Sequence, residues 1–521
     1  MTTQIFTSIL VICFFGLMIG VGLYCRKKAA SVDGFVLGGR SVGPWLTAFA
    51  FGTSYFSAVI FVGYAGQFGW NFGLASTWIG LGNAFIGSLL AWNVLGRRTR
   101  IMTQHLDSKT MPDFFEKRFG SSKLKIVASI IVFVFLIPYT ASLYNGLSSL
   151  FGIAFSIPYW VCILIMAVLT GVYVVFGGYM ATAINDFIQG LIMLGGIVAV
   201  VIAVLMQNGG LAPSVELLAE QSGWEYTSLL GPDPVSLITV VLLTSLGTWG
   251  LPQMIGKFYA ISNEGAIKKG TIISTVFAII VAGGCYFLGG FGRLFAEANE
   301  KGTPVGGFDS VVPTMISELS PYIIGIVIVL VLSASMSTLS SLVLTSASTL
   351  TLDMFVPLFS KKGVSEKKKL LTLRILIVFF IAISAGIAIL KDTVWKESAF
   401  IAQMMGISWG ALAGSFLAPF LYGLYWKKVT RPAVWTSFGF GVGIMVTQLV
   451  LSMCKLIPKS GFIHFVFQNS LYTGVIAMLC GLVIVPIVSL CTQKRKPDNV
   501  EDVFECYNKD VKVKHKQSLG E

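Results

Sequence analysis

The chain has 521 residues, of which 55% are hydrophobic and 12% charged, with 37 Lys and Arg against 24 Asp and Glu. Soluble domains carry about 25% charged residues, so this composition excludes an ordinary soluble enzyme or binding module and indicates a polytopic membrane protein. The net charge of +13 does not indicate a nucleic-acid partner, because the basic residues fall in short loops between apolar runs, where they set orientation in a bilayer.

Apolar runs long enough to span a membrane recur along the chain. A helix needs about 20 apolar residues to cross a bilayer. The thirteen predicted spans are 5–25, 44–66, 72–95, 125–150, 157–178, 182–206, 234–256, 271–291, 322–346, 370–390, 398–425, 432–453 and 469–492. The first run is polar before and basic after, which indicates a retained helix rather than a signal peptide. Residues 1–492 thus form one transmembrane domain, and the charged segment 493–521 is predicted to be a disordered cytoplasmic tail.

Basic residues are concentrated in every second loop. They follow the odd-numbered runs, at 26–28, 97–100, 257–269, 361–369, 427–431 and 494–496, whereas the alternate loops hold only six of the 37 Lys and Arg. This bias predicts an N-terminus outside and a C-terminus in the cytoplasm, with the protein in the plasma (inner) membrane. Lys257 counts here as a loop residue, so no Lys or Arg is expected in the membrane core. The segment MPDFFEKRF is predicted to form an interfacial helix whose Phe114, Phe115 and Phe119 lie at the lipid headgroups.

The second run, PWLTAFAFGTSYFSAVIFVGYAG, has small and hydroxyl residues near its middle, including Gly52, Thr53 and Ser57. Such residues serve close helix packing. They also fit a broken helix whose free carbonyls coordinate an ion.

Asp186 is the acidic residue within the predicted spans. An ionised carboxylate in a membrane faces a partner, a cavity or an ion. The ninth run contains VLSASMSTLSSLVLT, in which Ser337, Ser340 and Ser341 share one helix face. A carboxylate and hydroxyls suit a hard cation such as Na+. The alternatives are that Asp186 caps a helix N-terminus and that the hydroxyls bond back to their own helix.

Four segments resemble the sodium:solute symporter family, whose members include proline, pantothenate, sugar and sialic acid symporters. They are GGRSVGPWLTAFAFGTSYFSAVIFVGYAG, FGGYMATAINDFIQG, SASMSTLSSLVLTSAS and GLYWKKVTRPA, and the resemblance extends over about residues 5–492. It implies an all-α fold with a LeuT-type core of two inverted five-helix repeats, spans 2–6 and 7–11, over about residues 44–425.

The resemblance also implies two cation sites. The family's conserved sodium site, matched by motif, falls on Thr53, Phe56, Ala334, Ser337 and Thr338. A second sodium site found in some members falls on Asp186 together with Ser337, Ser340 and Ser341.

In this fold the solute lies at the midplane between broken helices. The candidate contacts are Tyr55, Ser57, Phe61, Tyr139, Asn145, Trp249, Gln253 and Gln403. The proline symporter has an aspartate at Tyr55 and a tryptophan at Thr244, and both departures argue against proline. The arginine of the sialic acid members is absent from the fourth span, whereas LPQMIGKFYA leans toward the pantothenate branch. With no basic residue expected in the core, a neutral or zwitterionic solute is favoured.

The sequence therefore predicts a symporter that imports a small organic solute, amino-acid-like such as proline or pantothenate-like, with one or two Na+ by alternating access. Its partners are the solute, Na+ and the lipid bilayer, and no obligate protein partner is evident. The alternatives are a proton-coupled carrier on the same fold, with Asp186 as the protonation site, and a sugar or monocarboxylate symporter. A signalling sensor is disfavoured by the short tail, and an enzyme by the lack of a metal cluster, nucleophile–base pair or nucleotide loop.

Overall fold

The computed structural model describes residues 2–155, 158–359, 364–394 and 400–507, and these ranges form helices joined by short loops. The α-helices, in chain order, are α1 (Thr2–Tyr24), α2 (Val32–Leu37), α3 (Pro44–Tyr55), α4 (Ala65–Phe72), α5 (Thr77–Gly82), α6 (Arg97–His105), α7 (Met111–Phe119), α8 (Ser122–Phe155), α9 (Tyr159–Gln207), α10 (Leu211–Ser222), α11 (Pro234–Leu246), α12 (Pro252–Ala260), α13 (Glu264–Ala278), α14 (Gly284–Gly289), α15 (Val311–Ser317), α16 (Pro321–Thr349), α17 (Val356–Phe359), α18 (Glu366–Val394), α19 (Phe400–Tyr425), α20 (Arg431–Met453), α21 (Gly461–Phe467), α22 (Ser470–Cys491) and α23 (Val500–Glu505). Turns of π-helix extend several of them, at Val59–Tyr64, Asn83–Leu90, Trp92–Gly96, Ile279–Gly283 and Leu350–Phe355.

Within the described ranges, ten helices are long and apolar enough to cross a membrane, or eleven when the bent pair Pro234–Gly250 and Pro252–Ala260 counts as one span. Two of the ten extend over 47 residues at Val59–His105 and 49 residues at Tyr159–Gln207, and each contains a glycine with non-helical backbone angles, Gly73 and Gly178. At 1.5 Å per residue each would be about 70 Å long, more than twice the thickness of a bilayer core. Each therefore accounts for more than one crossing. Within the described residues, the thirteen predicted apolar runs fall on helices, and the prediction of an all-α polytopic protein is confirmed.

Two of the predicted spans are broken by one extended residue near their middle. In the second span α3 ends at Tyr55, Phe56 has φ −83° and ψ 120°, and the helix resumes at Val59. In the seventh span Leu251 has φ −87° and ψ 119°, and the helices on either side are bent by 48°. Such a break leaves some carbonyl groups without the amide of the next turn, as at Phe56, and these are available to a ligand.

The long helix α9 is divided at Gly178, whose φ of +55° and ψ of −151° are not helical. Asp186 lies eight residues beyond this break, in the helix interior and fully buried. A capping residue lies at the first non-helical position of a helix. The alternative that Asp186 is a helix cap therefore does not agree with its position.

Replacing Gly178 with alanine is expected to destabilise the protein by about 1–3 kcal/mol, because this backbone conformation is essentially restricted to glycine. A Cβ at Gly178 would also lie 2.9 Å from the carbonyl oxygen of Phe35. Thermal unfolding of the detergent-solubilised protein measures the effect. Gly195 is the matched control, since it lies in the same helix with no atom within 4 Å of its Cβ position. Equal melting temperatures for the two variants would contradict the prediction.

The helix α16 lies at the centre of the bundle, in contact with α1, α3, α8, α9 and α18. Its hydroxyl-rich segment is buried, including Ser333, Ser337 and Ser340. The hydroxyls therefore face other helices rather than lipid. This placement brings them to the breaks in the second and seventh spans.

We call the end of the bundle that contains residues 26–28, 97–124 and 424–431 the basic end. Two predictions about this end need correction. The predicted helix at MPDFFEKRF exists as α7, but Phe114, Phe115 and Phe119 are fully buried rather than at lipid headgroups. Phe115 packs against three phenylalanine rings, those of Phe416, Phe420 and Phe438. The helix is thus part of the core, because its aromatic face meets α19 and α20.

The predicted disordered tail is also ordered in part. Its first residues contain α23, whose Val500, Val503 and Phe504 are buried, and α23 contacts α6 and α7. Apolar residues at i, i+3 and i+4 give this short helix one face to bury. Residues 508–521 lie outside the described residues.

Candidate cation and solute site

Five oxygen atoms from α16 and the break after α3 lie close together. The Thr338 hydroxyl lies 3.2 Å from the carbonyl oxygen of Thr53, 3.3 Å from that of Phe56 and 3.2 Å from that of Ala334. The Ser337 hydroxyl lies 3.2 Å from the Thr53 oxygen and 3.1 Å from the Ala334 oxygen. We call these five atoms the oxygen cluster. All five residues are buried, with at most 1% of their surface exposed.

The oxygen cluster has more acceptors than hydrogens. Thr338 and Ser337 each have one hydroxyl hydrogen, and they face three carbonyl oxygens. The Phe56 carbonyl has no helical partner, because the next backbone amides, Ile60 and Phe61, bond to Ser57 instead. For an ion–oxygen distance of about 2.4 Å, as in hard-cation sites, neighbouring ligands lie about 3.4 Å apart. The spacing and chemistry of the cluster thus suit a small hard cation.

A second polar group surrounds Asp186. The Lys257 ammonium lies 3.5 Å from the Asp186 carboxylate and 2.9 Å from the Ser341 hydroxyl. The side chains of Asp186 and Lys257 are 0% and 5% exposed. The prediction that Lys257 is a loop residue is wrong, because Lys257 lies in α12 with its ammonium inside the bundle.

The four residues proposed for the second sodium site differ in their surroundings. Asp186 and Ser341 both face Lys257. The Ser337 hydroxyl points into the oxygen cluster, and the Ser340 hydroxyl donates to the Ser337 carbonyl at 2.9 Å. The structure thus brings a lysine, which the sequence analysis did not include, to the carboxylate of this proposed site.

A chain of hydrogen bonds leads from the Asp186 group to Ser54 of α3, the residue next to the oxygen cluster. Ser54 donates to the Ala50 carbonyl at 2.6 Å, so Ser341 donates to Ser54 across their 2.8 Å contact. Lys257 in turn donates to Ser341. Since Ser54 follows Thr53 directly, the two groups are coupled through one turn of α3.

A small cavity of about 50 Å³ connects the Asp186 group with the basic end of the bundle. It is lined at one end by Lys109 and Thr110 and at the other by Gln253, Lys257 and Ser341. Space of this size admits a few water molecules.

The basic end is closed across the two broken spans. Val42, just before α3, accepts a backbone hydrogen bond from Ser262 and donates one to Ala260 at the end of α12. Arg40 donates to the carbonyl oxygens of Ser108 and Tyr259 at 2.6 and 3.4 Å. Burial lowers the pKa of this guanidinium, with Asp107 opposing the shift. These bonds tie together the ends of the second and seventh spans that lie at the basic end.

Three of the eight solute candidates meet around a tryptophan that the sequence analysis did not include. The rings of Tyr55 and Tyr139 lie 6.0 and 6.1 Å from that of Trp409, and Ser57 lies beside Tyr139. Tyr55, Ser57 and Trp409 each bury a polar atom that makes no hydrogen bond of normal geometry within the described residues. We call these four residues the aromatic cluster. It presents ring faces and unpaired polar atoms, and it contains no charged side chain.

The other five candidates lie apart from this cluster or are engaged elsewhere. Gln253 lines the small cavity beside Lys257, and the Trp249 indole donates to the Ile86 carbonyl at 3.1 Å. The Asn145 amide donates to the Ala141 carbonyl, and Phe61 is buried next to the helix break.

Gln403 lines a separate cavity of about 210 Å³, together with Gln67, Gln448 and Asn469 among others. The Gln403 amide bonds to Ser452 at 3.4 Å.

Comparisons with known proteins agree with this architecture. The family model of the sodium:solute symporter family matches residues 35–441. The osmoregulated proline transporter OpuE of Bacillus subtilis is 29% identical over 472 residues, covering 89% of this chain and 93% of the relative. The sodium/proline symporter of Staphylococcus aureus is 28% identical over 495 residues, covering 94% and 93%. Among solved structures, a Na+-coupled sialic acid symporter aligns with a TM-score of 0.74 at 18% identity, covering 93% of this chain and 97% of that one. This last similarity shows a shared fold.

Proposed function

Since this chain belongs to the sodium:solute symporter family, we propose that it is a Na+-coupled symporter that imports a small neutral or zwitterionic solute. The observation that carries the proposal is the oxygen cluster, in which the buried hydroxyls of Ser337 and Thr338 lie 3.1–3.3 Å from backbone carbonyls on both sides of the helix break. Relatives along most of the chain are named as a proline transporter and a sodium/proline symporter.

Coupling follows from the position of the oxygen cluster at the break in the second span. Phe56 contributes a carbonyl to the cluster, and its neighbours Tyr55 and Ser57 belong to the aromatic cluster. A cation bound by Thr53, Phe56 and α16 fixes the backbone of this break and so places Tyr55 and Ser57 for the solute. Each ligand then tightens the binding of the other by an equal factor.

The aromatic cluster supports a solute without net charge. Ring faces bind apolar groups, while Ser57, Tyr139 and Trp409 offer hydrogen bonds. Lys257 is a buried cation near the break in the seventh span, but the Asp186 carboxylate neutralises its charge. An amino-acid-like solute such as proline, or a pantothenate-like one, remains within this class.

We place the basic end in the cytoplasm, with the N-terminus outside, because cytoplasmic loops carry the excess of Lys and Arg. The bonds of Val42 and Arg40 then close the cytoplasmic side. Transport to the cytoplasm requires these bonds to open and the small cavity beside Lys257 to widen. Opening of the cytoplasmic side while the outer side is closed is the inward-facing half of an alternating-access cycle.

The experiment that tests the proposal is thermal stabilisation of the purified protein by a solute panel, measured in Na+ and in K+. The panel holds proline, other neutral amino acids, pantothenate, short monocarboxylates and sugars. We expect one class to stabilise the protein only in Na+, because coupled ligands stabilise the folded state together. Stabilisation that ignores the cation but depends on pH would contradict sodium coupling and support a proton-coupled carrier.

Replacing Trp409 with leucine is expected to raise the solute concentration for half-maximal uptake about 30-fold, because one ring contact and one hydrogen bond to the solute, at about 1 kcal/mol each, are lost. Stabilisation by Na+ alone should stay unchanged, since Trp409 contributes no atom to the oxygen cluster. Uptake of labelled solute and Na+ titrations measure the two effects. The matched control is Trp160→Leu, a tryptophan that is 54% exposed on the outside of the bundle. Equal solute affinities in the two variants would remove the aromatic cluster from the proposed site.

A further inference from the structure

A positively charged side chain of the protein already lies at the Asp186 group, in ion-pair contact with a buried carboxylate that makes no hydrogen bond of normal geometry within the described residues. An ammonium group has three hydrogens. Those of Lys257 have three neighbours: the Ser341 hydroxyl at 2.9 Å, the Asp186 carboxylate at 3.5 Å and the ring of Tyr179, whose centre lies 5.4 Å away. The ammonium therefore has the anion, the hydroxyl and the ring face that a bound cation would need.

The hydroxyl at this position is also committed. Ser341 donates its hydrogen to Ser54 and accepts from Lys257. Of the remaining hydroxyls of the proposed second sodium site, that of Ser337 belongs to the oxygen cluster, and that of Ser340 donates to the Ser337 carbonyl within α16. The residues present thus do not fit a second sodium ion while Lys257 lies among them.

The charge of the Lys257 ammonium also disfavours a second sodium ion at Asp186. Asp186 and Lys257 form a buried pair of zero net charge. A sodium ion within about 4 Å of the ammonium would lose about a thousandfold in affinity from repulsion at an effective dielectric constant of about 20. It would also leave one uncompensated positive charge inside the bundle.

We propose that Lys257 is a tethered cation that replaces a second sodium ion at Asp186, so that this carrier binds one Na+ per chain, at the oxygen cluster. The proposal rests on the sodium coupling inferred above and adds the number of ions to it. It also gives Lys257 a positioning role, since its bonds connect α12 to α9 and α16.

The test counts bound ²²Na+ per purified chain at saturation, without solute. The variants are Asp186→Asn/Lys257→Met, which keeps the group neutral, Lys257→Met and Thr338→Ala. We expect one ion in the wild type and one in the double variant, whereas Thr338→Ala should bind its ion only at about 10- to 100-fold higher Na+. Lys257→Met exposes the carboxylate to solvent ions, so two ions are expected, the second being lost in the double variant.

Two ions in the wild type with one in the double variant would overturn the tethered-cation proposal while leaving sodium coupling intact. One ion in the wild type with none in the double variant would also overturn it, because the ion would then lie at Asp186. No bound ion in the wild type would overturn the sodium coupling itself and, with it, the count of one. If Lys257→Met fails to fold, the wild type and the neutral double variant still decide the question.

Discussion

Replacing Thr338 with alanine is expected to raise the Na+ concentration for half-maximal uptake about 10- to 100-fold. The hydroxyl of Thr338 is buried and faces all three carbonyls of the oxygen cluster. A polar contact to a charged group is worth about 1.5–3 kcal/mol, and each 1.4 kcal/mol is tenfold in affinity. Uptake of labelled solute at increasing Na+, with the expression level measured in parallel, gives the shift.

Two further variants control for this result. Ser335→Ala removes a buried hydroxyl from the same helix, but that hydroxyl bonds only to the Val331 carbonyl one turn back. Its Na+ dependence should equal that of the wild type. Thr338→Ser retains the hydroxyl and should recover most of the affinity. A wild-type Na+ dependence in Thr338→Ala would remove the oxygen cluster from the transport mechanism.

The common face of the Ser and Thr hydroxyls in α16 could be predicted from the sequence, because helical spacing fixes which side chains lie on one face. Ser337 and Thr338 do lie at the break of the second span, next to Thr53 and Phe56. That break could be inferred from small and hydroxyl residues in an apolar run. The carbonyl ligands themselves carry no side-chain signal, so only the resemblance to a family indicated them.

The break in the seventh span had a signal that the sequence analysis did not use. Leu251 precedes Pro252, and a residue before proline is displaced from helical to extended conformation. Proline at the first helical position then begins α12. The sequence Gly250–Leu251–Pro252 could therefore have been used to predict the break in the seventh span.

Lys257 and Trp409 were missed for another reason. A lysine near the end of an apolar run ordinarily extends its ammonium to the membrane surface, and nothing in the local pattern distinguishes that case from burial. Only the packing of α12 against α9 and α16 turns the side chain inward, toward an aspartate 71 positions earlier in the chain. Trp409 likewise acquires its role from rings on two other spans.

Replacing Asp186 with asparagine is expected to destabilise the protein by about 3–5 kcal/mol, because it leaves the Lys257 ammonium buried without a counter-charge. The double variant Asp186→Asn/Lys257→Met should recover most of this loss, since removing both charges of a buried pair is often neutral. Thermal unfolding of all four proteins in one detergent gives the coupling energy as a double-mutant cycle.

The exposed pair of Glu366 and Lys369, at 3.0 Å, provides the comparison. More than half of the Glu366 side chain is accessible to solvent, and such pairs contribute about 0–1 kcal/mol. Glu366→Gln should therefore change stability far less than Asp186→Asn. If the single and double variants at Asp186 unfold at the same temperature, the two charges do not stabilise one another. The contact at 3.5 Å would then be incidental, and Asp186 would remain available to a cation from solution.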